Sequence, residues 1–519
     1  MTRRRWLLAA LVAASCAAPR TVTPPAPAAP ALAAAAAPAP GAIDRTAPPD
    51  KGPPPELRLP AQKKFTLANG LRVRVVEYRR LPIVAVNLVL DAGAARDTKA
   101  LPGLASFTAS MLTEGTKTRS ATRISDEAGF LGATISAGAS VDSASLSGAT
   151  LARHLPKLLD LFADVAMNPA FPKADFERVQ DERLVTLLQQ RDQPQAIASK
   201  AFAPVFWGAH PYGHYSLGTE ESVKATRPRD LAAFHDRFWR PANAELVVVG
   251  DVSEVDLRPL LEKSLGAWKA GKAAPALPAA PAAAPHRTLV LEKVDAPQSY
   301  LLMGMPGLRR ASDDFVTGTV VFQVLGGGMA SRLFRNLRED KGYTYGVYAR
   351  GDARKLAGAS FIVGSVRAEV TGAALKELLV EIRRLRDEPV TAAELDDARD
   401  ALVLSLPADF ATAGATAGRL AELSVHGLPD DYWNRYAERV RKVTAEDVRR
   451  FAETYLDPAK LTLVMVAHPD TVRAQLADLP IGPVEIRAAP APASAAPAKA
   501  GPAKAAPRKA ARGAKENRP

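Results

Sequence analysis

The sequence predicts an α+β protein made of two homologous domains, each a largely antiparallel sheet packed with helices, and three observations lead there. Asp230, Phe234, Phe238, Pro241 and Leu246 of RDLAAFHDRFWRPANAELVVVGD recur as Asp447, Phe451, Tyr455, Pro458 and Leu463 of EDVRRFAETYLDPAKLTLVMVAH, every pair separated by the same interval. A shared interval across a helix, a turn and a strand indicates a duplicated unit. Leu71, Val73 and Val75 alternate with Arg72 and Arg74, the period of a half-buried strand, and residues 84–90 (VAVNLVL) read as its neighbour. Leu155, Leu158, Leu159, Phe162 and Val165 recur at helical spacing, and residues 173–193 and 370–387 also read as long helices. Helices that follow groups of strands, without strict alternation, favour helices packed over one sheet face.

The chain has 519 residues, more than one core accommodates, and its 47% hydrophobic and 24% charged residues are ordinary for a folded body. Residues 1–16 (MTRRRWLLAALVAASC) join a cationic start to an apolar run, Trp6 to Val12, too short to span a bilayer. They end in Cys16, the chain's one cysteine, after Ala13-Ala14-Ser15. That arrangement resembles a bacterial lipobox, in which the thiol is acylated; conventional signal cleavage in the Ala-rich stretch beyond is the other reading. Either places the protein outside the cytoplasm. Residues 17–60 are dominated by Ala and Pro and read as an extended tether.

The first body covers residues 61–270. Its segment LPGLASFTASMLTEGTKTRSA (residues 101–121) resembles the signature G-L-A-H-F-L-E-H-M-x-F-x-G-T of the M16 (pitrilysin/insulinase) zinc peptidases, matching at Gly103, Leu104, Ala105, Phe107, Met111, Gly115 and Thr116. In active members two His one helical turn apart bind zinc, and the Glu between them is the general base. Here Ser106, Ala109 and Ser110 stand at those places. The resemblance puts the third ligand, a Glu on a later helix, at Thr186; Glu182 lies four residues earlier. Neutral hydroxyls are poor zinc ligands, so no catalytic zinc is expected in this chain. The seven His form no H-x-x-E-H; His210 and His214 stand four apart in HPYGHYSLGTEES, a segment that reads as a structural loop.

Residues 271–286 form an Ala/Pro-rich linker, residues 287–480 the second body, and residues 481–519 a basic, disordered Ala/Pro/Lys-rich tail. The segment VLGGGMASRLFRNLREDKGYTYGVYA (324–349) resembles the M16 pattern L-R-x-x-x-x-G-Y, whose Arg and Tyr approach the scissile peptide. That resemblance assigns substrate binding to Arg338 and Tyr345, which keep an Arg-x6-Tyr spacing, while Gly342 and Tyr343 depart from the pattern's Gly-Tyr position. A guanidinium offers forked donors to carbonyls, and a phenol can donate to a developing oxyanion. The alternative is that Arg338 braces its own helix and Tyr345 fills a sheet face. Gly326–Gly328 read either as a close approach to peptide or as a plain turn beside a helix.

The net charge of +13 gathers in Arg3–Arg5 and in residues 490–519, so the body is only mildly basic and no nucleic-acid motif is present. No Ser/His/Asp or nucleophilic Cys arrangement offers another mechanism. The resemblance therefore implies a non-catalytic subunit of an M16-type metallopeptidase. Its partner would be a chain with an intact H-x-x-E-H, which would carry the zinc, and both would act on a peptide substrate. The alternative is a peptide-binding or scaffold protein of the cell envelope. The leader implies a periplasm-facing, outer-membrane lipoprotein of a Gram-negative bacterium, held to the membrane by lipid on Cys16.

Overall fold

The computed structural model describes residues 57–281 and 285–491. Cys16, the leader and the tether up to residue 56, and the tail from residue 492, lie outside the described residues.

Among the described residues twelve strands make two six-stranded sheets. The first holds β1 (Gln62–Thr66), β2 (Arg72–Glu77), β3 (Ile83–Leu90), β4 (Thr134–Ala139), β5 (Ala144–Leu151) and β6 (Ala244–Gly250), in the order β1-β2-β6-β3-β5-β4. The second holds β7 (Arg287–Glu292), β8 (Gln298–Gly307), β9 (Thr344–Ala353), β10 (Gly358–Arg367), β11 (Thr462–Ala467) and β12 (Val484–Ala488), in the order β12-β7-β11-β8-β10-β9. Pairing is antiparallel except for β2 with β6, β7 with β11 and β7 with β12. Every residue of β6 and of β11 is buried, as a central strand covered on both faces requires.

The repeat seen in the sequence is a repeat of structure. Leu246 lies between Val73 and Leu88, and Leu463 between Thr288 and Met303, in the same places of the two sheets. Asp230 and Asp447 each accept from the backbone N–H that opens their helix, at 2.8 and 2.9 Å. The ring pairs Phe234–Phe238 and Phe451–Tyr455 sit at 4.8 and 4.7 Å. The copies differ at one edge. There β1 precedes the other strands of its sheet and runs antiparallel, whereas β12 follows the other strands of its sheet and runs parallel. Residues 484–488 thus extend the second sheet past the boundary at 480.

The predicted helices appear as Leu155–Met167, Lys173–Gln189 and Thr371–Asp387. Each sheet has one face covered by helices of its own half. The opposite face takes a helix from the other half. Ala417, Leu420 and Ala421 of the helix Ala413–His426 join Val76, Ala85, Val89, Val247 and Val249 of the first sheet. Ile197, Ala198, Phe202 and Phe206 of the helix Pro194–Trp207 join Leu289, Leu302, Phe361 and Val464 of the second. Gly304 permits this contact, because a Cβ there would meet the Phe202 ring at 2.2 Å.

The seam between the halves is also polar. Tyr212 donates to Asp142 at 2.6 Å, Asp142 accepts from Lys355 N–H at 2.8 Å, and the Lys355 ammonium reaches Asp91 at 2.9 Å. The linker runs along this body. Arg96 donates to the Pro275 carbonyl at 2.5 Å, and the His210 ring nitrogen Nε2 lies 3.1 Å from the Pro278 carbonyl oxygen.

Candidate functional site

The segment with the metal-site signature forms the helix Leu104–Met111. Its N-terminus is set by the fully buried Asp97 carboxylate, which accepts from the N–H groups of Gly103 and Ala105 at 2.7 Å each and pairs with His214 at 3.0 Å. Gly103 turns at φ +92°, where a side chain would strike the Leu217 carbonyl at 2.7 Å. Only glycine combines that backbone with so close an approach. Phe107 stacks on Phe176 of the helix Lys173–Gln189 at 5.1 Å and 13°, which lays the two helices side by side.

Ser106 and Ser110, one turn apart, share the face turned to that second helix, and what meets them is Arg183. Its guanidinium donates to Ser106 Oγ at 2.9 Å and to Ser110 Oγ at 3.0 Å, and it lies over the Phe107 ring at 4.7 Å. Ser106 Oγ in turn donates to the Ser216 carbonyl at 2.7 Å and Ser110 Oγ to the Phe107 carbonyl at 3.0 Å. Arg183 is buried, and burial pulls its pKa down to about 10, against which the Asp97 charge works. It remains a cation at neutral pH.

Thr186 does not join this cluster. It is exposed and donates to the Glu182 carbonyl at 2.9 Å, while the Glu182 carboxylate is held by Arg178 at 2.9 Å on the outer surface. Ala109 is fully buried in the core. Two hydroxyls, a methyl and a guanidinium are no ligand set for a dication, and a fixed positive charge between the hydroxyls opposes one. Zinc does not fit these residues. Among the described residues no three His, Cys, Asp or Glu side chains gather as a metal site. Arg183 went unnoticed in the sequence, yet it falls on the buried stripe of its helix with Phe176, Val179 and Leu187. A cation on such a stripe is a signal that helical spacing alone can expose.

The second candidate pair is brought together. Arg338 lies in a π-helical turn, Arg335–Asp340, and its guanidinium sits between the rings of Phe334 at 4.6 Å and Tyr345 at 4.5 Å. Tyr345 occupies a bulge on the edge strand β9, where Gly346 faces Ser365 and Thr344 faces Val366. The extra residue leaves its side chain 80% exposed. Tyr343, the other tyrosine of the motif, packs against the core. The clamp holds the guanidinium by its faces, so its N–H edges and the phenol can serve a ligand. None of the contacts at Ser106, Ser110 or Arg183 involves Arg338 or Tyr345.

Comparison with known proteins relates the chain to M16 peptidases. The family model for insulinase (peptidase family M16) matches residues 73–220, and that for the peptidase M16 inactive domain matches residues 227–402. The uncharacterized zinc protease YmxG of Bacillus subtilis is 24% identical over 76% of this chain and 96% of its own length. The non-peptidase homolog YmxG of Helicobacter pylori is 23% identical over 77% and 93%. A crystal structure of a peptidase M16 inactive domain from Pseudomonas fluorescens superposes with a TM-score of 0.75 at 28% identity, covering 78% of this chain and 98% of that one. A Helicobacter pylori protease structure superposes at 0.73 with 20% identity over 79% and 100%.

Proposed function

Because the chain belongs to the M16 peptidase family, we propose that it is a non-catalytic member, completing the site of a zinc-bearing M16 partner through Arg338 and Tyr345. The observation that carries the first part is Arg183, whose buried cation bonds both hydroxyls that replace the paired His. The second part draws support from the Arg338–Tyr345 clamp, which a π-turn and a bulge present to solvent. Irregularities of both kinds recur at functional sites and cost regular hydrogen bonding where they occur.

The purified chain is expected to hold no stoichiometric zinc and to cleave no peptide alone. Mixed with a family chain that has an intact H-x-x-E-H, it is expected to support zinc-dependent hydrolysis of an extended peptide. Arg338→Ala or Tyr345→Phe then lowers turnover on the order of a hundredfold with assembly intact. Zinc-dependent hydrolysis by the chain alone would overturn the non-catalytic reading. Unchanged turnover in both variants would leave a scaffold role in its place.

The proposal extends to location. Cys16 is the lipidated first residue of an outer-membrane protein facing the periplasm, supported by the cationic and apolar residues before it. Mass spectrometry of the mature N-terminus decides between this and cleavage further along.

A further inference from the structure

The three most exposed large apolar side chains of the first half are Phe130 (82%), Val255 (81%) and Leu81 (63%), far apart in sequence and carried by segments that adjoin the same end of the first sheet. The strand register requires this. The last residue of β2, Glu77, faces the last of β6, Gly250; the first of β3, Ile83, faces the last of β5, Leu151; and β4 opens at Thr134 opposite Ala149. The turn holding Leu81, the start of the helix Glu254–Leu265 with Val255, and the end of the helix Ala121–Phe130 therefore all lie at that end of the sheet. The Ala152 N–H binds the Pro82 carbonyl at 2.8 Å, and from there the helix Leu155–Met167 brings the Lys157 ammonium to 6.0 Å from the Phe130 ring.

Cations stand beside these side chains. Arg80 lies over Tyr78 at 5.3 Å, and Arg153 is next to His154 at 3.2 Å. Glu77 and Asp251 share Arg79, at 3.6 and 3.9 Å, and Glu254 pairs with Arg258 at 3.0 Å; beside Phe130, Glu127 and Asp160 are held by Arg119 at 2.9 and 2.7 Å, with Asp126 next to them. Apolar tips flanked by Lys and Arg are the composition of a surface that lies in a membrane interface. No described helix is long and apolar enough to cross a membrane, so such contact would be peripheral.

We infer that this end of the first half is a bilayer-contact surface. Leu81, Phe130 and Val255 enter the acyl boundary while Arg80, Arg153 and Lys157 meet anionic headgroups. This stands apart from the peptidase reading and does not need Cys16 to be acylated.

The test uses the chain from Leu57 to Pro519, which keeps both sheets and every described helix and lacks the apolar leader. It is expected to float with phosphatidylglycerol/phosphatidylethanolamine vesicles and much less with phosphatidylcholine alone. The triple variant Leu81→Ser, Phe130→Ser, Val255→Ser is expected to lower the bound fraction at least about tenfold with an unchanged melt, since all three positions are exposed. This chain has no cysteine, Cys16 being the only one in the protein. Phe130→Cys carrying a polarity-sensitive dye should therefore shift to the blue when anionic vesicles are added. Failure of the unmutated chain to float, or equal flotation of the triple variant, overturns the inference. So does self-association that the triple variant abolishes without any vesicle binding, which would assign the patch to a second copy.

Discussion

At the scale of single residues, the most informative side chain is Arg183. Arg183→Met keeps the apolar stem but removes the donors to Ser106 and Ser110, and it should cost about 1–3 kcal/mol in urea unfolding without creating zinc affinity. A second residue-scale prediction concerns pH. Burial alone would raise the Glu394 carboxyl, but hydrogen bonds from Arg332 at 2.7 Å and from the Thr391 backbone outweigh it and bring its pKa to about 2. A depressed carboxylate stabilises the fold fully above its unfolded pKa, near 4.3, and the contribution disappears as pH falls through about 2. Thermal melts should decline across that interval, and Glu394→Gln should show a lower midpoint at pH 7 and a flatter decline. The sequence revealed the Arg338–Tyr345 spacing, because a motif is a local property. It hid the role of Arg183, because what that side chain meets depends on a helix far away in the chain.

Among elements, the strands and long helices were legible from their periods, β2 and β3 from alternation and β-branched content, and Leu155–Met167 from its apolar stripe. Which sheet receives a helix was not legible. An apolar stripe says that a helix must be covered but not by what, so nothing in Pro194–Trp207 announces that it belongs to the other half's sheet. β12 was missed for a different reason: it sits in a stretch whose Ala, Pro and Arg resemble the tail that follows it. The exchanged helix makes its own prediction. Phe202→Ala should cost about 3–5 kcal/mol by leaving a cavity against Phe361 and β8, and Gly304→Ala about 1–3 kcal/mol by forcing the same ring aside. Denaturant unfolding of the two variants measures both, and a neutral Gly304→Ala would mean the ring has room to shift.

For the whole molecule, each half is finished only by the other, so the two should melt in a single calorimetric transition although the sequence divides them at an Ala/Pro linker. Two separate transitions, with the Phe202→Ala variant moving only one, would contradict this. The same exchange bears on how the chain is made. The ribosome delivers all of the first sheet by Gly250, yet the helix that shields Val76, Ala85, Val89, Val247 and Val249 begins only at Ala413. At typical elongation rates that delay is on the order of ten seconds or more. During it the nascent first half shows an uncovered valine-rich face, a natural substrate for holdase chaperones and an invitation to aggregate if synthesis stalls between the two halves.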